Sequence, residues 1–232
     1  MENILGVIGG MGPMATQLFY KMLIEKTKAE KDQDHINVMI LADAGMPDRT
    51  TAILSGHVNE IYDRMLDHGR FLEKNGCKAI AITCNTSHYI VDIIEKELSI
   101  PIIHMIRETA KETAVLCPGG KIAVLATDGT IQMGLYQKEL EAKGMVPYVP
   151  SEEGQKLVMY QIYDRIKTGL PADMEAWTVL EKELKAAGCD RALLACTELS
   201  VIKEDNKLDD FYIDPMEVLA KRSIEFMGKE LR

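Results

Sequence analysis

The stretch Gly76-Cys77-Lys78-Ala79-Ile80-Ala81-Ile82-Thr83-Cys84 recurs later in the chain as Gly188-Cys189-Asp190-Arg191-Ala192-Leu193-Leu194-Ala195-Cys196. Each copy has a glycine that stops a helix, then an apolar run typical of a buried strand, then a cysteine. Ligands bind at the carboxyl ends of the strands in open α/β sheets, so each copy presents its last cysteine where a ligand is expected. The repeat therefore predicts two similar α/β halves, each with one cysteine at its ligand-binding edge.

Strand and helix signals alternate on both sides of this repeat. The alternation indicates parallel sheets that are covered by helices on both faces. We therefore predict an α/β protein of two pseudo-symmetric, Rossmann-like, three-layer halves, with the active site in the cleft between them. The predicted strands are 4–8, 36–42, 79–83 and 101–104 in the first half, and 122–126, 146–149, 192–195 and 211–213 in the second.

Helix signals fall between these strands. One helix is predicted from Pro13, because proline suits a first helical turn, and another from Ser55, which is a plausible N-cap. The final helix, from Pro215, is expected to return to the first half. The predicted domains are thus 1–104 joined by 214–232, and 105–213. Other helices are predicted over 87–98, 128–144, 152–167 and 173–187.

Composition narrows the class of protein. The chain has 232 residues, 47% of them hydrophobic, and a formal net charge of −9, with lysines and arginines scattered among acids. An acidic chain without a basic patch argues against nucleic-acid binding. The chain shows no basic, apolar leader and no apolar run that could span a bilayer, so we expect a cytoplasmic protein that does not bind membranes. Its five cysteines are then free thiols, and their spacing does not predict a metal site.

Cys84 and Cys196 are the cysteines that suggest chemistry. Each lies between a predicted buried strand and a predicted helix start, where free N–H groups favour a thiolate. Cys77, Cys117 and Cys189 lack such a setting, and we interpret them as structural. Two thiols suit the inversion of a carbon centre, because one group must remove a proton from one face while another delivers a proton to the opposite face.

The turn Gly10-Met11-Gly12-Pro13-Met14-Ala15 has three interpretations. It formally satisfies the dinucleotide-binding pattern GxGxxA, which would make the protein a dehydrogenase, although the expected acid, Asp43, arrives late. It is also compatible with a plain strand-to-helix turn. The interpretation that we favour is a cradle of N–H groups for a small carboxylate at the helix N-terminus.

Four motifs together resemble the aspartate/glutamate racemase family, and more narrowly its PLP-independent aspartate racemases. The resemblance covers nearly the whole chain and implies catalysis without PLP, metal or nucleotide. Related activities in the superfamily include glutamate and hydantoin racemases, maleate isomerase and arylmalonate decarboxylase. The motifs are Gly9-Gly10-Met11-Gly12-Pro13, Pro47-Asp48-Arg49-Thr50, Thr83-Cys84-Asn85-Thr86 and Ala195-Cys196-Thr197-Glu198.

The resemblance also implies a set of site residues. Cys84 and Cys196 match the family's acid/base thiols, with Cys84 serving the D-enantiomer and Cys196 the L-enantiomer. Arg49 and Lys167 match a basic pair for the side-chain carboxylate, which is physically reasonable because arginine grips a carboxylate with two parallel bonds. Residues implied to bind the rest of the substrate are Met11, Asn85, Thr86, Thr127 and Thr197.

Glu198 and His88 have two interpretations each. Glu198 would raise the pKa of Cys196 and receive the substrate ammonium, or it would simply cap a helix N-terminus. His88 lies four residues after Cys84, so it would either pair with the thiol or serve the structure.

The predicted function is racemisation of an acidic amino acid, aspartate first and glutamate second, by a protein expected to be a homodimer. The alternatives are another cysteine-dependent isomerase or decarboxylase of the superfamily, the dehydrogenase, and a non-catalytic amino-acid sensor.

Overall fold

The computed structural model describes residues 3–232, which form two compact units. The first unit runs to Glu108 and takes up the chain again at Met216–Arg232, and the second is Thr109–Pro215. Each unit contains one four-stranded parallel sheet with helices packed against it. No helix in the described range is long and apolar enough to cross a membrane.

The first unit contains β1 to β4. Its strands are β1 (Ile4–Gly9), β2 (Asn37–Ala42), β3 (Cys77–Ile82) and β4 (Ile102–Ile103). The sheet order is β2-β1-β3-β4, with every pair parallel. Its helices are α1 (Pro13–Lys26), α2 (Arg49–Ser55), α3 (Asn59–Lys74), α4 (Val91–Ile94), the start of α5 (Met105–Leu116), and α11 (Pro215–Phe226), which begins at the boundary between the units.

The second unit repeats this plan with β5 to β8. Its strands are β5 (Lys121–Leu125), β6 (Val146–Tyr148), β7 (Arg191–Leu194) and β8 (Tyr212–Ile213), in the parallel order β6-β5-β7-β8. Substituting β5 for β1 and β7 for β3 gives the order of the first sheet. The predicted pseudo-symmetric α/β fold is therefore confirmed. The helices are α6 (Asp128–Gln132), α7 (Leu135–Glu141), α8 (Glu152–Tyr160), α9 (Met174–Ala186) and α10 (Thr197–Asn206).

This strand order fixes where a ligand is expected in each unit. The chain leaves β1 toward one side of the sheet and returns to β3 on the other, so the order reverses between those two strands. Open α/β sheets bind ligands at such a switch point, beyond the carboxyl ends of the strands. In the first unit Ile8 pairs with Ile82, and in the second Leu125 pairs with Leu194. The two switch points are thus in equivalent register.

The prediction that Ser55 begins a helix is wrong. Asp48 caps an additional helix, α2, by accepting a hydrogen bond from the Thr51 amide at 2.8 Å. Ser55 is the last residue of α2, which ends at Gly56 in the left-handed conformation with φ 76°. The following helix starts only at Asn59.

Three other predicted helices are less regular than expected. The 87–98 segment consists of the 3₁₀ turn Thr86–Tyr89, then α4, then a second 3₁₀ turn, Glu95–Glu97. The 128–144 segment breaks at Gly134, whose φ of 65° separates α6 from α7. Beyond α8 the helix continues as a π-helical segment, Gln161–Arg165, and a 3₁₀ turn, Ile166–Thr168.

Candidate active site

Cys84 and Cys196 occupy equivalent positions at the two switch points. Cys84 follows the end of β3 by two residues, and Cys196 follows the end of β7 by two. Both are buried, each with 6% of its surface exposed. All five cysteines are free thiols. The sequence repeat thus corresponds to a structural repeat that brings one thiol to the ligand-binding edge of each sheet.

A buried hydroxyl network supports the turn that carries Cys84. Thr16 on α1 donates to the Gly12 carbonyl at 3.0 Å and accepts from the Gly10 amide at 2.9 Å. Its hydroxyl also lies 3.1 Å from that of Thr83, the residue before Cys84. A hydroxyl has one proton to donate, so Thr83 must be the donor in that contact. Thr16 therefore ties the glycine turn after β1 to the cysteine turn after β3.

Met11 belongs to the same buried cluster as Cys84. The side chain is 2% exposed, and the Ser87 hydroxyl donates to its sulfur at 3.5 Å. Asn85 and Thr86 are 2% and 4% exposed, and Thr86 opens the 3₁₀ turn after the thiol. The structure therefore groups these predicted residues with Cys84 in the first unit.

Arg49 lies at the start of α2 and is 8% exposed, which is unusual for an arginine. Its Nη1 donates to the Pro47 carbonyl at 2.8 Å and to the Met46 carbonyl at 3.3 Å. Together with Thr86 it lines a small cavity whose wall is otherwise mainly apolar. These carbonyls fix the direction of the guanidinium within the first unit.

The glycine turn is explained by packing and not by a dinucleotide. Gly10 has a φ of 88°, and a Cβ there would lie 2.4 Å from backbone atoms of Asp43. Asp43, the acid that the dinucleotide pattern requires, forms a two-pronged ion pair with Arg64, with Nη2 2.7 Å from each carboxylate oxygen. Because Asp43 is committed to that arginine, the structure does not support the dehydrogenase interpretation.

His88 does not pair with the Cys84 thiol. Its Nδ1 lies 2.8 Å from the main-chain carbonyl of Cys84, and its Nε2 accepts from the Met105 amide at 3.2 Å. The ring is 5% exposed, and burial lowers the pKa of His88 to about 3. His104 packs edge-on against it, with ring centroids 4.9 Å apart. The interpretation of His88 as a structural residue is the one that the contacts support.

In the second unit, Glu198 connects the thiol to a cation. The Cys196 thiol donates to Glu198 Oε2 at 2.9 Å, and Lys167 Nζ lies 3.6 Å from Oε1. The Thr197 hydroxyl also donates to Oε2, at 3.4 Å. Lys167 follows the π-helical segment and lies over the ring of Tyr163, 5.0 Å from its centroid. Glu198 is 4% exposed, whereas Lys167 lies on the exposed 3₁₀ turn, so the carboxylate is shielded from water and its cation is not.

These surroundings raise the pKa of the Cys196 thiol well above its usual range. Burial is the largest cause, the nearby Glu198 carboxylate adds to it, and Lys167 opposes it. Cys196 is the N-cap of α10, as predicted, but the expected stabilisation of a thiolate by the helix terminus does not prevail. In the unliganded protein this group is therefore a thiol at neutral pH.

Thr127 corresponds to Gly10 in the sheet register, because each lies two residues past the partner of the last residue of the central strand: Gly10 past Ile8, which pairs with Ile82, and Thr127 past Leu125, which pairs with Leu194. It is 3% exposed, N-caps α6, and its hydroxyl lies 3.3 Å from that of Thr130. Because Leu125 pairs with Leu194, Thr127 is level with Cys196 along the sheet. The predicted residues of the second unit therefore gather at one switch point.

Known proteins resemble this chain in sequence and in fold. The profile of the Asp/Glu/hydantoin racemase family matches residues 8–222. A curated relative, the broad-specificity amino-acid racemase RacX of Bacillus subtilis, is 30% identical over 229 residues, which cover 95% of this chain and 96% of the relative. The solved structure of Picrophilus torridus aspartate racemase superposes with a TM-score of 0.83 at 30% identity, covering 99% of this chain and 96% of that one.

The fold and these relatives define an isomerase of the two-unit α/β type. The chain belongs to the Asp/Glu/hydantoin racemase family, and the resemblance seen in its motifs is thereby confirmed. More distant structures share the fold, including the glutamate racemase of Francisella tularensis, at 21% identity and a TM-score of 0.71.

Two supporting residues, Thr16 and Arg64, are not predicted by the sequence. A threonine inside an amphipathic helix carries no distinctive signal, and its partner Thr83 is 67 residues away. Arg64 likewise contacts Asp43 across 21 residues and also donates to the Gly45 carbonyl at 2.9 Å. Across residues 3–232, no three His, Cys, Asp or Glu side chains are grouped so as to hold a metal ion.

Proposed function

We propose that the protein racemises an acidic amino acid, aspartate first and glutamate second, without PLP, metal or nucleotide, using Cys84 and Cys196 as acid and base. The observation that carries the proposal is the equivalence of the two thiols. Each follows the strand beside the switch point of its own sheet by two residues, and each is buried. Two like groups in two like settings suit a reaction that is symmetrical about one carbon.

The proposed reaction balances with these two groups alone. For the D-enantiomer, the Cys84 thiolate takes the α-proton, and the electron pair of the C–H bond remains on the substrate, delocalised into its carboxylate. The Cys196 thiol then gives its proton to the opposite face, which yields the L-enantiomer. The reverse reaction exchanges the roles. Its raised pKa and its burial suit Cys196 to the role of proton donor in the first direction.

For the L-enantiomer, Cys196 must lose its proton, and Glu198 gives the substrate a way to promote that loss. A substrate ammonium next to Glu198 would offset the carboxylate charge that disfavours the thiolate. Binding of the amino acid would then lower the pKa of Cys196. The nearly complete burial of Glu198 favours this, because charges interact more strongly away from water.

Acidic substrates are favoured by the two cations among the proposed site residues. Arg49 is held by two carbonyls of its own loop, so its fork is already oriented when a carboxylate arrives. Lys167 would add a second positive charge. We propose that the substrate's α-carboxylate is bound by the polar residues that follow the strands, namely Asn85, Thr86, Thr127 and Thr197. Met11 would form an apolar wall of the site.

A second candidate is racemisation of a broader range of amino acids, which is what the name of the Bacillus subtilis relative describes for that protein. One contact favours it: Lys167 already lies 3.6 Å from Glu198, so part of its charge is compensated before substrate binds. The cavity beside Arg49 is also mainly apolar. Selectivity for acidic side chains would then depend on Arg49 alone.

The test is α-proton exchange in D₂O, followed by NMR for each enantiomer of aspartate, glutamate and alanine. The parent protein would be compared with Cys84→Ala and Cys196→Ala. Cys77→Ala and Cys189→Ala are matched controls, because they remove the buried cysteines at the opposite ends of the same two strands. We expect exchange with inversion for aspartate, lost in the first two variants and kept in the controls.

Other results would select an alternative. Comparable exchange for alanine and aspartate would support the broad-specificity enzyme. If none of the six amino acids exchanges, the proposed racemase is wrong, and binding without turnover would then indicate a sensor. We also propose that the protein is a homodimer. Size-exclusion chromatography with light scattering measures its mass in solution and tests this.

A further inference from the structure

We propose that His88 is a positioning residue for Cys84: a neutral imidazole that holds the Cys84 main-chain carbonyl on one side of the turn and thereby sets the direction of the thiol. The inference rests on the proposed role of Cys84 in racemisation. It adds a residue that contributes no proton of its own to the reaction.

The hydrogen bonds determine which ring nitrogen carries the proton. The Met105 amide is a donor, so His88 Nε2, 3.2 Å away, must be an acceptor without a proton. In a neutral ring the proton is then on Nδ1, where it donates to the Cys84 carbonyl at 2.8 Å. Both nitrogens are therefore used by the main chain, which leaves none to take the proton of a thiol.

The surroundings keep this ring neutral. His88 is 5% exposed, and desolvation is the main reason for its low pKa; the neighbouring His104 acts in the same direction, whereas Asp92 opposes it. His104 accepts from the Arg107 amide at Nδ1, so its own proton lies on Nε2, the side of Asp92. A charged imidazolium at position 88 would also lose the Met105 hydrogen bond.

The position of the contact explains its importance. Cys84 lies between the end of β3 and the 3₁₀ turn Thr86–Tyr89. Its carbonyl belongs to the rigid, planar peptide group that joins it to Asn85. Fixing that carbonyl fixes the plane, and with it the start of the 3₁₀ turn, where the His88 amide also donates to the Asn85 carbonyl at 3.0 Å. Through Met105 the ring connects this turn to the first residue of α5. The thiol is thus braced from within its own unit.

Two substitutions separate the two hydrogen bonds. In His88→Asn, the side-chain amide nitrogen can occupy the place of Nδ1 and still donate to Cys84, while the Met105 contact is lost. In His88→Gln, the longer side chain can place its oxygen where Nε2 was, which keeps the Met105 contact and loses the donation to Cys84. The pair differs mainly in which hydrogen bond survives.

The experiment measures alkylation by iodoacetamide at Cys84 and Cys196 separately, by mass spectrometry, together with the kcat of α-proton exchange. We expect His88→Gln to raise the alkylation rate of the buried Cys84 about fivefold and to lower kcat by a similar factor, as for the loss of one hydrogen bond. Cys196 should react as in the parent protein. His88→Asn, which keeps the donation to Cys84 and loses only the Met105 contact, should bring both values most of the way back to those of the parent.

The opposite results would overturn the inference. If His88 is merely structural, both variants should lose kcat to the same extent, or the alkylation rates of Cys84 and Cys196 should rise together. If neither variant folds, the ring nitrogens of ¹⁵N-histidine-labelled parent protein decide by NMR: a proton on Nδ1 alone supports the inference, and a proton on Nε2 contradicts it. Because alkylation needs no substrate, the inference about Cys84 can hold even if racemase activity is absent.

Discussion

The Cys196 thiol donates to the Glu198 carboxylate, with Sγ 2.9 Å from Oε2. This contact couples the protonation of the thiol to the charge of a residue that the helix geometry places beside it. The carboxylate raises the pKa of Cys196, and Lys167, on its other side, lowers it. The pKa of the Cys196 thiol therefore responds to any group that offsets the charge of Glu198, including a bound ammonium.

We predict that Glu198→Gln lowers the pKa of Cys196, because the negative charge that disfavours the thiolate is removed. The rate of Cys196 alkylation against pH should shift to lower pH. Lys167→Met should shift it to higher pH, since that substitution removes the opposing positive charge. Asp205→Asn is the control: it removes an exposed charge from the same helix and should leave the profile unchanged. A profile unchanged by Glu198→Gln would contradict the coupling.

Arg49→Lys should raise the KM for aspartate by about tenfold or more while changing the KM for alanine little. Arginine can donate to Pro47 and Met46 and still present further donors to a carboxylate, whereas a single ammonium has to choose between them. Steady-state kinetics with both substrates measure the difference. Arg70→Lys, at an exposed arginine paired with Glu97, is the matched control. Equal effects on aspartate and alanine would mean that Arg49 does not recognise the side chain.

Thr16→Val should destabilise the first unit by about 2–3 kcal/mol, because it leaves buried polar partners unsatisfied. The substitution preserves the shape of the side chain but removes the hydroxyl that joins Gly10, Gly12 and Thr83. Urea unfolding followed by circular dichroism gives the free energy of unfolding. Thr178→Val, at an exposed hydroxyl on α9, should change it by less than about 0.5 kcal/mol. If the two variants are equally stable, the network contributes nothing.

The sequence predicted the fold well because the central strands β1, β3, β5 and β7 are buried along nearly their whole length. Central strands of parallel sheets are continuous apolar runs, and the copies ending at Cys84 and Cys196 are bounded by glycines. Helix boundaries were harder to predict, because neighbouring polar residues compete to act as the N-cap. Asp48 caps an additional helix, and Ser55 ends that helix and does not begin the next one.

The site was predictable only in part, for a similar reason. The thiols and their immediate neighbours follow strand ends, and strand ends are visible in the apolar pattern. The contacts that orient them are not, because they join distant segments. The Thr16–Thr83 and Arg64–Asp43 pairs appear only after the strands have been placed side by side. His88 was correctly suspected near Cys84, but its partner proved to be the carbonyl and not the thiol.

Burial of His88 should make the protein less stable in acid. Its folded pKa of about 3 lies below the value of about 6.5 in an unfolded chain, so its contribution to stability is complete above pH ~6.5 and is lost as the pH falls toward 3. The loss amounts to about 1.4 kcal/mol per pH unit within that window. His88→Asn cannot titrate there, so its free energy of unfolding should fall less steeply between pH 6 and pH 4, by about 2–3 kcal/mol in total.

Urea unfolding at several pH values in this window measures both slopes. Carboxylates titrate in the parent and in the variant alike, and their contributions cancel in the comparison. His57→Asn, at an exposed histidine in the same unit, should keep the slope of the parent protein. If the parent and His88→Asn lose stability in parallel, the ring is protonated or open to water in the folded protein. Where the ring is protonated, it cannot accept the Met105 hydrogen bond that fixes its proton on the side of Cys84.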